Sequence, residues 1–295
     1  MAATENLQGI LQGAIDLHLH TAPSIFPRAL NDVEAARGAK EWRLAAFVSK
    51  AHEGSTAGRA QDANFAAPDG HAVGSIVLNR FVGGLNPHAV AVALALGARV
   101  VFLPTIHAAN HVAFYGMPGF PHMAANLPPR QVAGVAVLDE SGTVLPDLME
   151  IIDAVKEAGA VLATGHIGPA ETEKVVAAAR ERGLERVLVN HPDFGPTAMD
   201  QEFQAGLMAR GAYVEFPINL LSREGAGVSP DALLARLRRL GTERFVLSSD
   251  LGQKKNGDPF LGLARGVAEL LRAGLSQGEL DRILRYNPLD LLSGG

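Results

Sequence analysis

No cysteine occurs among the 295 residues, which excludes a disulfide framework, a thiolate metal site and a cysteine nucleophile. Any metal must then be held by nitrogen and oxygen. Long apolar runs are missing too: no segment approaches the roughly 20 uninterrupted apolar residues of a membrane span, and Met1 to Gly13 lacks a basic start followed by an apolar stretch. The expectation is a soluble, cytoplasmic protein. Charged residues make up only 19% of the chain and the net charge is -5, without a clustered basic groove, which argues against a nucleic-acid partner. Arg236, Arg238 and Arg239 resemble a basic patch but read as a solvated helix face.

What the chain does have is short apolar runs that stop at polar residues. The first, Ile15 to His20, ends in His18-Leu19-His20. In an extended strand residues i and i+2 share a side, so two imidazoles would face one way while Leu17 and Leu19 pack on the other. Further strand candidates are Leu44–Lys50, Ala72–Leu78, Arg99–Pro104, Ala160–His166, Arg186–His191, Ala212–Phe216 and Arg244–Asp250. Helical stretches separate them, including Asn86–Gly97, Asp147–Gly159, Glu171–Gly183, Gln201–Gly211, Pro230–Gly241 and Phe260–Gly274, and Glu279–Leu292 adds a terminal one. His52 to Gly70 reads as a polar loop rich in Gly and Ala. Thr105 to Pro146 breaks the rhythm with His107, His111, Phe114, Tyr115, Phe120, His122 and a hairpin-like Val135–Leu138 and Thr143–Leu145, as a lid or binding loop would.

Eight strand-plus-helix units with unalternating apolar strands predict one α/β domain over 1–295, a (β/α)8 TIM barrel with a long insertion after the fourth strand and an extra C-terminal helix. An open doubly wound sheet is the runner-up, but Ala22-Pro23-Ser24 is no glycine-rich phosphate loop. In a barrel, His18, His20, Lys50, His166, His191 and Asp250 all fall at C-terminal strand ends, the rim where active sites are built.

This pattern resembles the metal-dependent amidohydrolase superfamily, and the likeness spans essentially the whole chain. His18, His20, His166, His191 and Asp250 match that superfamily's metal ligands one by one. Thr164-Gly165-His166, Asn190-His191-Pro192 and Ser249-Asp250-Leu251-Gly252-Gln253 look more specifically like an uncharacterised bacterial branch of it. One departure stands out: the fourth strand ends Pro104-Thr105-Ile106-His107, with no lysine or glutamate where the superfamily places its bridging ligand. Lys50 is the candidate replacement, either as a carbamate bridging two cations or as an ammonium that binds substrate or an acidic neighbour.

The resemblance implies one divalent metal, or two. Imidazoles plus a carboxylate suit zinc, with manganese or iron as alternatives. A metal-activated water would cleave an amide, cyclic amide, lactone or ester bond of a small molecule, with Asp250 moving the proton and His191 beside it as the second catalytic candidate. Candidate substrate contacts are Arg28, by its bidentate fork, with His52, His107, His111, Tyr115, Glu215 and Asn219. A decarboxylase of the same superfamily, a phosphoesterase, and a metal- or ligand-binding barrel without catalysis are the alternatives. A small-molecule substrate is the expected partner, with neither nucleic acid nor membrane and with self-association left open.

Overall fold

The computed structural model describes residues 7–121, 133–221 and 227–293; His122 lies outside them. Eight parallel strands pair in sequence order: β1 (Ile15–His20), β2 (Ala46–Lys50), β3 (Ala72–Val77), β4 (Ala98–Phe102), β5 (Val161–Ala163), β6 (Val187–Val189), β7 (Tyr213–Pro217) and β8 (Phe245–Ser248). Beyond β8 the chain returns to β1: Asp250 N–H donates to the His18 carbonyl at 2.9 Å, and His20 N–H to that of Leu251 at 2.9 Å. The expected (β/α)8 barrel is the fold. No helix among the described residues is long and apolar enough to cross a membrane.

Helices cover the outside: α1 (Asp32–Glu41), α2 (Ala57–Ala66), α3 (Pro87–Ala95), α4 (Ala109–Tyr115), α5 (Pro146–Glu157), α6 (Pro169–Glu181), α7 (Gln201–Ala209), α8 (Pro230–Leu240) and α9 (Pro259–Ala273). Most of their starts are written in the sequence. Asn31 accepts from Glu34 N–H while Glu34 accepts from Asn31 N–H, and the side chains of Asn86, Asp200, Ser229 and Asp258 each accept from a first-turn N–H of the helix that follows. The terminal stretch expected as one helix is broken: α10 (Gln277–Asp281) and α11 (Asn287–Leu292) flank a π-turn at Arg282–Tyr286. It closes the bottom of the barrel, where Leu291 packs with Ile15, Val161 and Val246.

Two further sequence expectations need correction, those for 52–70 and for Arg236. Helix α2 occupies the stretch read as a polar loop; it packs through Ala57, Ala60 and Ala63, a face too small to register as an apolar stripe although alanine favours the helix. The hairpin-like pair Val135–Leu138 and Thr143–Leu145 does meet, at an antiparallel bridge of Leu138 with Val144 flanked by Asp139 N–H to the Thr143 carbonyl at 2.9 Å and Leu145 N–H to the Val137 carbonyl at 3.1 Å. Arg236 is not solvated, being 7% exposed, ion-paired with Asp193 and stacked over Phe216.

The barrel interior is layered as strand alternation dictates. Val48, Val77, Phe102, Ala163, Leu188, Tyr213 and Val246 face inward, and their neighbours face the helices. Counting two further along a strand gives the next layer, so Lys50, Glu215, Ser248 and Asn190 also point in, above the apolar plug. Strand β1 departs from the count. Its register against β2 shifts between Asp16 and Leu19, with the Asp16 carboxylate accepting from His18 N–H at 3.1 Å and Ser249 N–H at 2.9 Å. This bulge sends Leu17 into the inner cluster and Leu19 to the helix side, whereas simple alternation would put both on one face.

Candidate metal centre and active site

A cavity with room for about 50 Å³ of water-sized centres opens at the C-terminal rim, and His18, His20, Lys50, His166, His191 and Asp250 all line it. The β1–β2 register sets His20 beside Lys50. Asp250 and His191 sit where their strands give way to loops, at φ of 47° and 28°. Side chains other than glycine rarely adopt positive φ, and such strain concentrates at functional sites. Behind Asp250, Gly252 (φ 111°) crosses so close to the His20 carbonyl that a Cβ would lie 1.9 Å from its oxygen, so only glycine lets the loop after β8 seal against β1.

The protons around His18 decide what the centre can hold. Its Nδ1 lies 2.9 Å from Glu215 Oε1, so the ring donates there and turns Nε2 toward the cavity. That nitrogen takes Lys50 Nζ at 2.9 Å, yet it also stands 3.2 Å from Asp250 Oδ1. The same oxygen is 3.1 Å from His20 Nε2, and the donor atoms of His18, His20 and Asp250 all fall within 4.8 Å of one another. Two imidazoles and a carboxylate converging in this way fit a divalent metal. Burial pushes His20 and His166 well below the ordinary imidazole range and His191 to about 4, leaving these rings neutral, as ligands must be.

His166 and His191 face the same cavity but stand outside that close trio. Their rings are 5.0 Å apart, and His191 is 5.8 Å from His18. A chain of histidines fixes the His166 tautomer. His111 Nε2–H donates to the Gly119 carbonyl at 2.7 Å, so His111 Nδ1 is an acceptor and takes the proton of His166 Nδ1, 2.8 Å away. The lone pair of His166 Nε2 is thereby left for the cavity. Lys50 is fully buried, and burial draws its pKa down to about 8 despite Asp250 and Glu215.

The residues expected to touch substrate divide. Arg28, His52 and Asn219 line the cavity; His107, His111, Tyr115 and Glu215 do not. Asn79 holds His52 in place, donating to the His52 carbonyl at 2.8 Å and to Thr105 Oγ1 at 2.8 Å, and Thr105 Oγ1 meets His52 Nδ1 at 2.9 Å. His107 instead packs edge-on against Phe81, with ring centroids 4.7 Å apart. Tyr115 sits behind, its ring 4.8 Å from His111 and 6.2 Å from Phe120. Glu215 lies one layer below the mouth. Besides His18 it accepts from Ser248 Oγ at 2.6 Å, Asn190 Nδ2 at 2.8 Å and His191 N–H at 3.2 Å. Phe194 and Gln253 also line the cavity; each lies three residues past a predicted ligand, and that position on a rim loop was the available signal.

The site sits where the fold class builds its active sites: imidazoles and an aspartate gathered at the C-terminal mouth of a (β/α)8 barrel. Residues 13–215 match the family of unknown function DUF6282, and the chain belongs to that family. No curated protein matches the sequence. Similar solved structures include an amidohydrolase from Pseudomonas aeruginosa, at 13% identity over 98% of this chain and 99% of that one with a TM-score of 0.62. A protein assigned as a 2-pyrone-4,6-dicarboxylic acid hydrolase, from Pseudomonas putida, aligns at 18% identity over 95% and 97% with a TM-score of 0.59. The organophosphorus hydrolase of Deinococcus radiodurans aligns at 13% over 96% and 93%, with a TM-score of 0.57. At these identities the likeness is one of fold.

Proposed function

We propose that this protein is a metal-dependent hydrolase that cleaves an amide, cyclic amide, lactone or ester bond of a small molecule. The observation behind this reading is the convergence of His18 Nε2 and His20 Nε2 on Asp250 Oδ1, at 3.2 Å and 3.1 Å, with the donor atoms of all three residues within 4.8 Å of one another. His18, His20 and Asp250 hold a first divalent cation, zinc by donor chemistry. His166 and His191 would hold a second if the Lys50 amine, once deprotonated, took up carbon dioxide to become a carbamate whose oxygens could serve as ligands. A cation held there supplies Lewis acidity, lowering the pKa of water and polarising a carbonyl. Asp250 takes the proton of the attacking water and returns it to the leaving group, its carboxylate steadied by Asn219 Nδ2 at 3.4 Å from Oδ2. Phe120, Phe194 and Leu220 wall the cavity with apolar surface, which thins the water around the reacting bond.

The test is elemental analysis of protein purified without added metal, together with turnover of a lactone and ester panel in isotopically labelled water. About two equivalents of metal, falling to about one in Lys50→Met, with label entering the product, is the expected result. Metal-free protein that still turns over, or carbon dioxide release without label uptake, would overturn hydrolysis. His111→Phe keeps the ring stack on His166 but removes its proton acceptor. It is expected to weaken binding of the second cation by about 10–100-fold in a chelator competition. Unchanged affinity would show that His166 needs no partner.

A further inference from the structure

Arg28 lies on the loop between β1 and α1, and that loop is stitched to the one carrying Asp250. Ala29 N–H donates to the Gly252 carbonyl at 2.8 Å, Lys254 N–H to that of Pro27 at 3.2 Å, and Arg28 itself bridges Gln253. The guanidinium is thus held at a fixed place on the cavity wall, lying over the Phe26 ring at 5.6 Å. It is only 9% exposed, yet among the described residues it forms no ion pair. Nε reaches Ser24 Oγ at 3.3 Å, and Nη2 is buried with no partner. Of the nearby carboxylates, Glu53 accepts from Ser24 Oγ at 3.3 Å through Oε2, its buried Oε1 having no partner and making no ion pair with Arg28, and Asp250 is engaged by His18 and His20. A buried, unpaired guanidinium is costly unless something completes it.

We propose that Arg28 receives a carboxylate carried by the ligand of this cavity, through the fork of its guanidinium, so that the natural ligand is a small flat molecule with an anionic end. His52 and Phe120, which both line the cavity with ring centroids 6.2 Å apart, supply ring faces and edges for the flat body, and Phe26 packs behind them at 5.5 and 6.1 Å. The pairing is bidentate, as the planar fork favours. A neutral isostere would leave Nη2 without a partner, so the site rejects it. The hydrolase reading enters only in calling this ligand a substrate.

Binding, not turnover, tests the idea. Benzoate and benzamide are titrated into metal-replete protein at millimolar concentration, followed by calorimetry, with wild type, Arg28→Met and Arg28→Lys compared. Benzoate is expected to bind wild type at least about tenfold more tightly than benzamide, and to lose at least about tenfold in Arg28→Met while benzamide is unaffected. Arg28→Lys keeps the charge without the fork and falls between; circular dichroism confirms that each variant is folded, and this variant suffices if the methionine one is not. Benzoate binding equally well to the Arg28 variants would place the anion at the metal centre and overturn the proposal, as would its failure to bind wild type. Absence of hydrolytic turnover with Arg28-dependent benzoate binding would sink the hydrolase reading alone; turnover without that dependence would sink this one alone.

Discussion

Replacing Asp250 with asparagine is expected to lower kcat/KM by about 10²–10⁴-fold while leaving the barrel folded. The substitution keeps the shape of the side chain. Asparagine also tolerates positive φ better than most residues, so the φ of 47° at this position is retained, and the backbone bond from Asp250 N–H to the His18 carbonyl does not depend on the side chain. What disappears is the anion. Burial alone would raise the Asp250 carboxyl, but the neighbouring His18, the hydrogen bond from His20, and His191 outweigh it and hold the carboxyl well below its usual range, so wild type presents an anionic acceptor throughout the neutral range and asparagine presents none. Two losses follow, a weaker first cation and no base, and metal titration separates them. If saturating zinc restores the rate of Asp250→Asn to within a few fold of wild type, Asp250 is a ligand and not the proton carrier.

The site was legible in the sequence to the extent that a parallel strand buries both faces. His18, Lys50 and Asp250 interrupt apolar runs, and nothing but a rim position accounts for them. His166 and His191 were found by the same rule, although β5 and β6 are only three residues long and both histidines stand in the loops beyond. Depth was harder to read. Glu215 was placed with the substrate contacts because it ends an apolar run, whereas two-residue alternation from inward-facing Tyr213 puts it inside the barrel, beneath Pro217 at the rim. His111 could not be recognised as the proton acceptor of His166, because that pairing joins residues 55 positions apart through a loop whose path no local pattern encodes. Helix α2 escaped for a different reason: it packs through alanine, and small side chains leave no amphipathic signature.

Glu215→Leu is expected to be the most destabilising single change in the polar layer beneath the mouth, by about 3–5 kcal/mol. Leucine nearly fills the volume, so the loss is not that of a cavity. Four donors lose their acceptor together: His18 Nδ1, Ser248 Oγ, Asn190 Nδ2 and His191 N–H, all in the barrel interior where water cannot replace it. On the scale of roughly 2–4 °C per kcal/mol for a chain of this general size, Tm should fall by about 6–20 °C. Metal affinity should fall too, since His18 loses the group that fixes its tautomer. Glu215→Gln separates the two effects. Its Oε1 can still accept from His18, but its amide group would face Asn190 Nδ2 and His191 N–H, and Asn190 cannot turn because its Oδ1 holds Gly165 N–H at 2.9 Å. Glutamine should therefore lose stability while largely keeping the metal. The effect has a defined pH dependence. Burial alone would raise the Glu215 carboxyl, but the charge and hydrogen bond of His18, then His191 and Ser248, outweigh it and draw it from 4.5 down to about 2. A depressed carboxyl stabilises the fold fully above its unfolded value and loses that contribution as the pH falls through the folded one. The gap between wild type and Glu215→Leu should thus be constant above pH 4.5 and close toward pH 2, in denaturant melts taken across that range. A leucine variant within about 1 kcal/mol of wild type at neutral pH would mean that the four donors find other partners and that Glu215 does not organise the floor of the site.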